Sequence, residues 1–278
     1  MLALNRKRRA LRAAVDEVPF WFHSIDLGHG VITPGQKPPE MLTAEWDQLR
    51  LGDLEGRTVL DIGAWDGYFS FRAEHAGAAR VVALDHYVWS LELSWFSAPE
   101  EARRQLYVDN GLDPNIPVLA HEIPGLWDPA RLPGQIGFAT ARRALESRVE
   151  PQVGDLMELD LDALGTFDVV LYLGVLYHVE DPLRALRRLR AVTREVAVVE
   201  TAIAAVPGFE HVELAQFFPG SELDDDPTNW WTPNLKALTG LCRAAGFSDV
   251  TVLVGPPPSE QIQGKLPHQY RAVVQARP

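Results

Sequence analysis

Short apolar runs of strand length punctuate the chain, and stretches with helical spacing separate them. Thr58–Ile62, Arg80–Asp85, Phe167–Leu173 and Glu195–Thr201 predict strands, the first an apolar run buried in a parallel sheet, and Val149–Val153 leads into Gly154-Asp155-Leu156, where a further strand would end. Between them, Tyr68–Ala76, Phe138–Ser147 and Leu183–Val192 predict helices, the last with Leu183, Leu186 and Leu189 along one face. Upstream, Met41, Trp46 and Leu49 place a helix over Glu40–Leu51. Near the end, Asn234–Ala245 reads as a helix with Thr232 as N-cap, Pro233 in its first position and Gly246 as its stop. Val250–Val254 and Tyr270–Gln275 alternate and predict two closing strands in a hairpin. Strand and helix in alternation give an α/β fold: an open, mostly parallel sheet with helices on both faces.

Four stretches stand outside that alternation. Residues 1–18 predict an amphipathic helix, with Leu2, Leu4, Leu11, Val15 and Val18 among arginines. Pro19–Gly35 is aromatic and rich in turn residues, and reads as a lid over the ligand end of the sheet. Residues 97–137 carry Pro114, Pro117, Pro124, Pro129 and Pro133, and read as an insertion that shapes the mouth of a site. Residues 202–233 hold aromatics suited to covering a pocket, and an acidic run, Asp224–Asp226, that reads as solvated loop. The chain therefore divides into an N-terminal helical and lid segment, 1–50, and a core domain, 51–278.

The most informative stretch is Val59-Leu60-Asp61-Ile62-Gly63-Ala64-Trp65-Asp66-Gly67-Tyr68-Phe69. A strand ends in an acid, turns through two glycines and enters a helix, which is the ligand-binding start of a doubly wound sheet. Glycine lets the backbone approach a ligand where a side chain would collide. The third glycine of a dinucleotide fingerprint is missing, and no Gly-Lys-Ser/Thr of a P-loop follows. Asp85 closes the next strand 18 residues after Gly67, where this architecture puts an acid against a ribose edge.

The turn and Asp85 together resemble class I S-adenosylmethionine (SAM) methyltransferases, with Trp65 where the usual pattern has glycine. The resemblance implies their Rossmann-like sheet and SAM as cofactor. It also implies that Asp61 holds the amino-acid end, that Gly63 and Gly67 admit the ligand, that Asp85 takes the ribose hydroxyls and that Asp155 takes the adenine amino group. His86 and Leu156 follow those two acids and join the cofactor set. Trp21–Gly35, Gly174-Val175-Leu176-Tyr177-His178, Glu200-Thr201 and Tyr270-Arg271-Ala272-Val273 resemble one subfamily, the bacterial tRNA wobble-uridine carboxymethyltransferases. There a tyrosine matching Tyr177 and an arginine matching Arg271 contact the extra carboxylate of carboxy-SAM, and a lysine of that site falls near His23. Histidine is not a permanent cation, and the residues before Pro19 are not expected to supply the long basic N-terminal region of the tRNA enzymes.

Charge shifts the picture the same way. The net charge is −12, and the clear basic cluster is Arg6, Lys7, Arg8, Arg9 and Arg12. A nucleic-acid binder presents a basic field to phosphates, so the preferred partner is a small-molecule acceptor and tRNA is the alternative. Hydrophobic content of 46% and charged content of 23% fit a globular protein. The single cysteine, Cys242, excludes an internal disulfide and a cysteine-based zinc site. His23, Asp26 and His29 on one short stretch do not make a metal site. No run approaches the roughly 20 apolar residues of a membrane helix, so the expected location is cytoplasmic. A SAM-dependent methyltransferase acting on a hydroxyl or amine needs a proton acceptor. His178 is the first candidate and Glu200 the second, with His23, His29, Trp230 and Arg271 around the acceptor. A noncatalytic SAM-binding protein is the remaining alternative.

Overall fold

The structure is a computed structural model that describes residues 2–116, 118–264 and 266–278. In chain order the elements are α1 (Leu2–Asp16), α2 (Pro39–Gln48), β1 (Thr58–Ile62), α3 (Tyr68–His75), β2 (Arg80–Asp85), α4 (Tyr87–Ser90), α5 (Ser94–Ser97), α6 (Glu100–Asp109) and α7 (Ile136–Ala144). There follow β3 (Glu150–Val153), α8 (Leu161–Leu164), β4 (Phe167–Leu173), α9 (Pro182–Val192), β5 (Thr193–Ala205), β6 (Ala215–Phe217), β7 (Trp231–Pro233), α10 (Leu235–Ala244), β8 (Asp249–Val254) and β9 (His268–Arg277).

Seven strands form one sheet in the order β3-β2-β1-β4-β5-β9-β8, and β6 pairs with β7 apart from it. β1 to β5 run parallel, and β9 lies antiparallel between β5 and β8. The strand order reverses between β1 and β4, which are hydrogen-bonded neighbours with Ile62 opposite Tyr172. Their following connections leave in opposite directions, and the crevice of an open α/β sheet lies at that point.

Successive strand residues face opposite sides, so each strand feeds two cores. Val59, Ala83, Val169 and Leu171 point into one, with Trp21, Phe69, Phe71 and Phe138. Leu60, Val82, Leu84, Val170 and Tyr172 point into the other, with Leu186 and Leu189 of α9 and Leu238 of α10. That two-sided burial explains why these strands read as unbroken apolar runs.

Two expectations need correction. The final helix starts later than its sequence suggests: Thr232 and Pro233 belong to β7, paired with Gln216 and Ala215, and Asn234 caps α10 by accepting from Ala237 N at 2.8 Å. Strand pairing had first claim on Thr232. The fifth strand runs to Ala205 rather than Thr201, because β9 continues to pair with it as far as His268. The insertion contains α6, and its Ile123, Leu126 and Trp127 pack with Tyr87, Leu91 and Trp95 of the preceding segment in a small core.

Candidate active site

The glycine turn after β1 holds its shape by reaching across to β2. The Gly63 and Ala64 amides donate to Leu84 O at 2.8 and 3.2 Å. Gly63 has φ +78°, and a Cβ there would come within 2.5 Å of Val175 Cγ2 on the β4 side of the crevice. Gly67 has φ +88° as the residue before α3, but a Cβ there would meet the rings of Phe71 and Phe138 at 2.7 Å. Its absence of a side chain therefore leaves room for the packed rings of Phe71 and Phe138.

The lid is anchored to this turn through one acid. Asp66 Oδ2 accepts from the Phe22 and His23 amides, each at 2.9 Å, and Asp66 Oδ1 pairs with His23 Nδ1. His23, a candidate acceptor contact in the sequence, is thus a buried clamp between the lid and the turn. Asp66 went unread in the sequence because an acid inside a turn is ordinary. Trp65, at φ +52°, stacks on Phe22 with ring centroids 4.1 Å apart and leans on Phe20 and Phe96. His29 sits exposed at φ +55° in the turn at the lid's tip, whose neighbour Gly30 faces Arg8 of α1. Nothing brings it to the crevice.

The three acids lie at or just beyond the carboxyl ends of β1, β2 and β3. Asp61 is buried and accepts from Ser70 Oγ at 2.6 Å. Asp85 accepts from the Trp65 amide at 2.9 Å and from the Val88 and Trp89 amides at 3.1 and 3.4 Å. Burial pushes both carboxyls up to about 6, against the pull of those hydrogen bonds. Asp155 is exposed in the turn after β3, accepting from Met157 N at 2.8 Å. The Leu156 side chain lies in the second core, so it offers the cofactor no side-chain face. His86 is half-buried at the start of α4, its ring edge-on to Trp127 at 5.2 Å.

On the other side of the switch point, a single turn (Leu176–His178) follows β4 and presents Tyr177 and His178 side by side, with ring centroids 4.2 Å apart. Trp230 is fixed there by its amide, which donates to Tyr177 O at 2.8 Å, and its ring is parallel to that of Phe217. His178 Nδ1 lies 2.7 Å from Thr228 Oγ1, and Thr228 Oγ1 donates to Asp226 Oδ1 at 2.6 Å. Burial lowers the pKa of His178, and the Asp226 charge opposes that shift. Its ring is therefore neutral at physiological pH, as a base requires. Asp224 and Asp225 are exposed, as the reading of a solvated acidic run expected, but Asp226 is half-buried beside the histidine. Thr228 and Asp226 carry no motif that could have revealed them.

Glu200 is not a free carboxylate. It forms a bidentate pair with Arg271, Nη2 to Oε2 at 2.6 Å and Nε to Oε1. β5 and β9 are antiparallel with Glu200 opposite Val273 and Ala202 opposite Arg271, so the two side chains are diagonal neighbours on one face. The Arg271 guanidinium also lies 4.9 Å from the Tyr177 ring centre. Both oxygens of Glu200, the second candidate base in the sequence, are thus engaged by the Arg271 guanidinium.

A family model described as a methyltransferase domain matches residues 42–252. The chain belongs to that family. Two curated relatives are tRNA U34 carboxymethyltransferases, from Colwellia psychrerythraea (28% identical over 213 residues) and an Enterobacter species (29% over 212). Each match covers 75% of this chain, and the chain spans about half the length of these relatives, 51% and 50%. Among solved structures, the N-terminal domain of EvdMO1 with SAH bound superposes with a TM-score of 0.57 at 17% identity, covering 97% of this chain and 96% of that one. The same domain in the presence of SAH and D-fucose gives 0.55. These neighbours share the fold.

The residues present fit SAM, the cofactor of this family. SAM offers an ammonium, two ribose hydroxyls and an adenine amino group, all donors. Asp61, Asp85 and Asp155, at or just beyond the carboxyl ends of β1, β2 and β3, are acceptors when ionised. Trp65 Nε1 is a buried donor in the turn without an acceptor among the described residues. Among those residues no helix is long and apolar enough to cross a membrane.

Proposed function

We propose that the protein is a SAM-dependent methyltransferase that methylates a hydroxyl or amine of a small metabolite, with His178 as the proton acceptor. The observation that carries this reading is His178 itself. It stands at the carboxyl end of β4, neutral through burial, with Nδ1 engaged and Nε2 without a partner among the described residues. Bound SAM would supply an electrophilic methyl on sulfonium sulfur. The chain's part is to hold the acceptor in line, exclude water and remove a proton. Positioning supplies much of the rate in such a displacement, and a placed base contributes typically about 10²–10⁴-fold. Tyr177, Trp230 and the insertion would surround the acceptor.

The Glu200–Arg271 pair supports SAM over carboxy-SAM. Arginine binds carboxylates bidentately, but here the fork is already filled by Glu200. A second carboxylate would have to displace a neighbouring strand's side chain or lie against its charge. The tRNA reading is kept as the alternative because the curated relatives carry that activity in their names. The basic face of α1, with Arg6, Lys7, Arg8, Arg9 and Arg12, would be its contact surface.

Incubation with methyl-labelled SAM and either a small-metabolite extract or bulk bacterial tRNA separates the two. Label in the metabolite fraction, lost in His178→Gln, supports the leading reading. Label in tRNA, with binding that weakens steeply with salt, would replace it.

A further inference from the structure

The hydrogen bonds around His178 decide which of its nitrogens carries the proton. Thr228 has one hydroxyl proton, and its Oγ1 gives it to Asp226 Oδ1 at 2.6 Å. The ionised carboxylate can only accept. Toward His178, Thr228 Oγ1 can therefore act only as an acceptor, and Nδ1, 2.7 Å away, must be the donor. The Thr228 carbonyl oxygen, 3.3 Å from the same nitrogen, is likewise only an acceptor. Asp226 is itself held in place: the Thr228 amide donates to its Oδ1 at 2.8 Å, and its own amide donates to Leu223 O at 3.3 Å. The left-handed backbone at Asp224 (φ +57°) and Asp225 (φ +54°) turns the chain back so that Asp226 points inward.

We infer that Asp226 and Thr228 are positioning residues that hold His178 in its Nδ1–H form and leave Nε2 unprotonated to accept the proton. The catalytic consequence rests on the base assignment above; the tautomer does not. When the acceptor's O–H or N–H bond breaks, the N–H bond forms at Nε2, and the imidazolium so produced keeps Nδ1–H on Thr228. The hydroxyl dipole and the Asp226 carboxylate then stabilise the new charge, as an acid behind a histidine does in hydrolases. The charged and titratable groups that bear on this ring are Asp226, which favours the cation, and Arg271, which opposes it. Arg271 is largely offset by Glu200, and the Tyr177 ring covers the imidazole. Tyr87, across the cleft on α4, senses Asp226 and is held up at about 12 chiefly by burial, so it stays neutral.

The test is nuclear magnetic resonance of the full chain with its 8 histidines labelled by ¹⁵N, His178 being assigned by its loss in His178→Gln. Wild type is expected to show a protonated Nδ1 and an unprotonated Nε2 at neutral pH. In Asp226→Asn the new amide can donate to Thr228 Oγ1, releasing the hydroxyl proton toward Nδ1. The tautomer ratio should then move by about five- to tenfold toward Nε2–H, the worth of roughly one hydrogen bond, and the titration midpoint of His178 should fall. Thr228→Val, which keeps only the carbonyl contact, should shift the ratio in the same sense, and Thr228→Ser should restore it. A wild-type His178 protonated on Nε2, or a ratio unmoved in both Asp226→Asn and Thr228→Val, overturns the inference. The expected tautomer together with full methyl transfer by His178→Gln overturns its catalytic part and leaves the positioning assignment standing.

Discussion

Asp61 and Asp85 make stability depend on pH in a direction opposite to that of most carboxylates. Both are buried, and burial holds them near 6 where an ordinary aspartate has 3.8. Each also raises the other's cost of ionising, since Asp85 is close enough to disfavour charge on Asp61. The folded chain keeps two protons that the unfolded chain releases, so their contribution is complete below about 3.8 and is lost as pH rises through 6. A rise from 3.8 to about 6 corresponds to roughly 3 kcal/mol per carboxyl. About half of that falls between pH 5 and 7.5, so the pair removes on the order of 3 kcal/mol over the interval. Exposed acids with lowered pKa, such as Glu150 beside Arg80, act only below about pH 4.5. His178, half-buried with its pKa lowered by desolvation, works the other way. The clean measurement is therefore the difference between wild type and Asp61→Asn in urea unfolding at constant ionic strength. Asn can still pair with Ser70 and cannot ionise. Its stability relative to wild type should rise by about 1–2 kcal/mol from pH 5 to 7.5. Parallel curves for the two proteins would refute the assignment of a buried, proton-holding carboxyl at the end of β1.

Other perturbations test the turn and the crevice separately. Gly63→Ala places a methyl 2.5 Å from Val175 Cγ2 at φ +78°, so it should cost about 1–3 kcal/mol and weaken SAH binding, read by thermal unfolding and calorimetry. His23→Ala leaves buried Asp66 with backbone donors alone and should cost about 1.5–3 kcal/mol, with faster proteolysis confined to the lid. Glu200→Gln removes the charge that fills the Arg271 fork. It should raise affinity for carboxy-SAM by about tenfold while changing SAM affinity little, and unchanged carboxy-SAM binding would remove Glu200 as a discriminator.

The central strands were legible because they are buried on both faces, and mostly apolar runs such as Phe167–Leu173 have few other uses. The acids at the ends of β1 and β2 were legible for a related reason: a charge closing an apolar strand needs a partner, and a ligand is one. What the sequence did not carry is what depends on contacts between distant segments. Gly67 looked like a ligand-facing glycine, yet its neighbour is Phe138, far along the chain. Thr232 looked like a helix cap until β6 claimed it as a strand residue. Asp226 was hidden in an acidic run whose other members are solvated, and only the fold of that loop separates it from them. His23 looked like a lysine's replacement near the substrate, and its partner Asp66 lies 43 residues away.

The crevice at the β1–β4 switch point is built for SAM. Native mass spectrometry of the purified chain, alone and after adding SAM, tests it directly. A mass increase matching SAM or SAH is expected, at one molecule per chain, weakened in Asp85→Ala. A carboxy-SAM adduct would contradict the part played by Glu200 and Arg271, and a chain that stays empty with SAM in excess would contradict the claim itself.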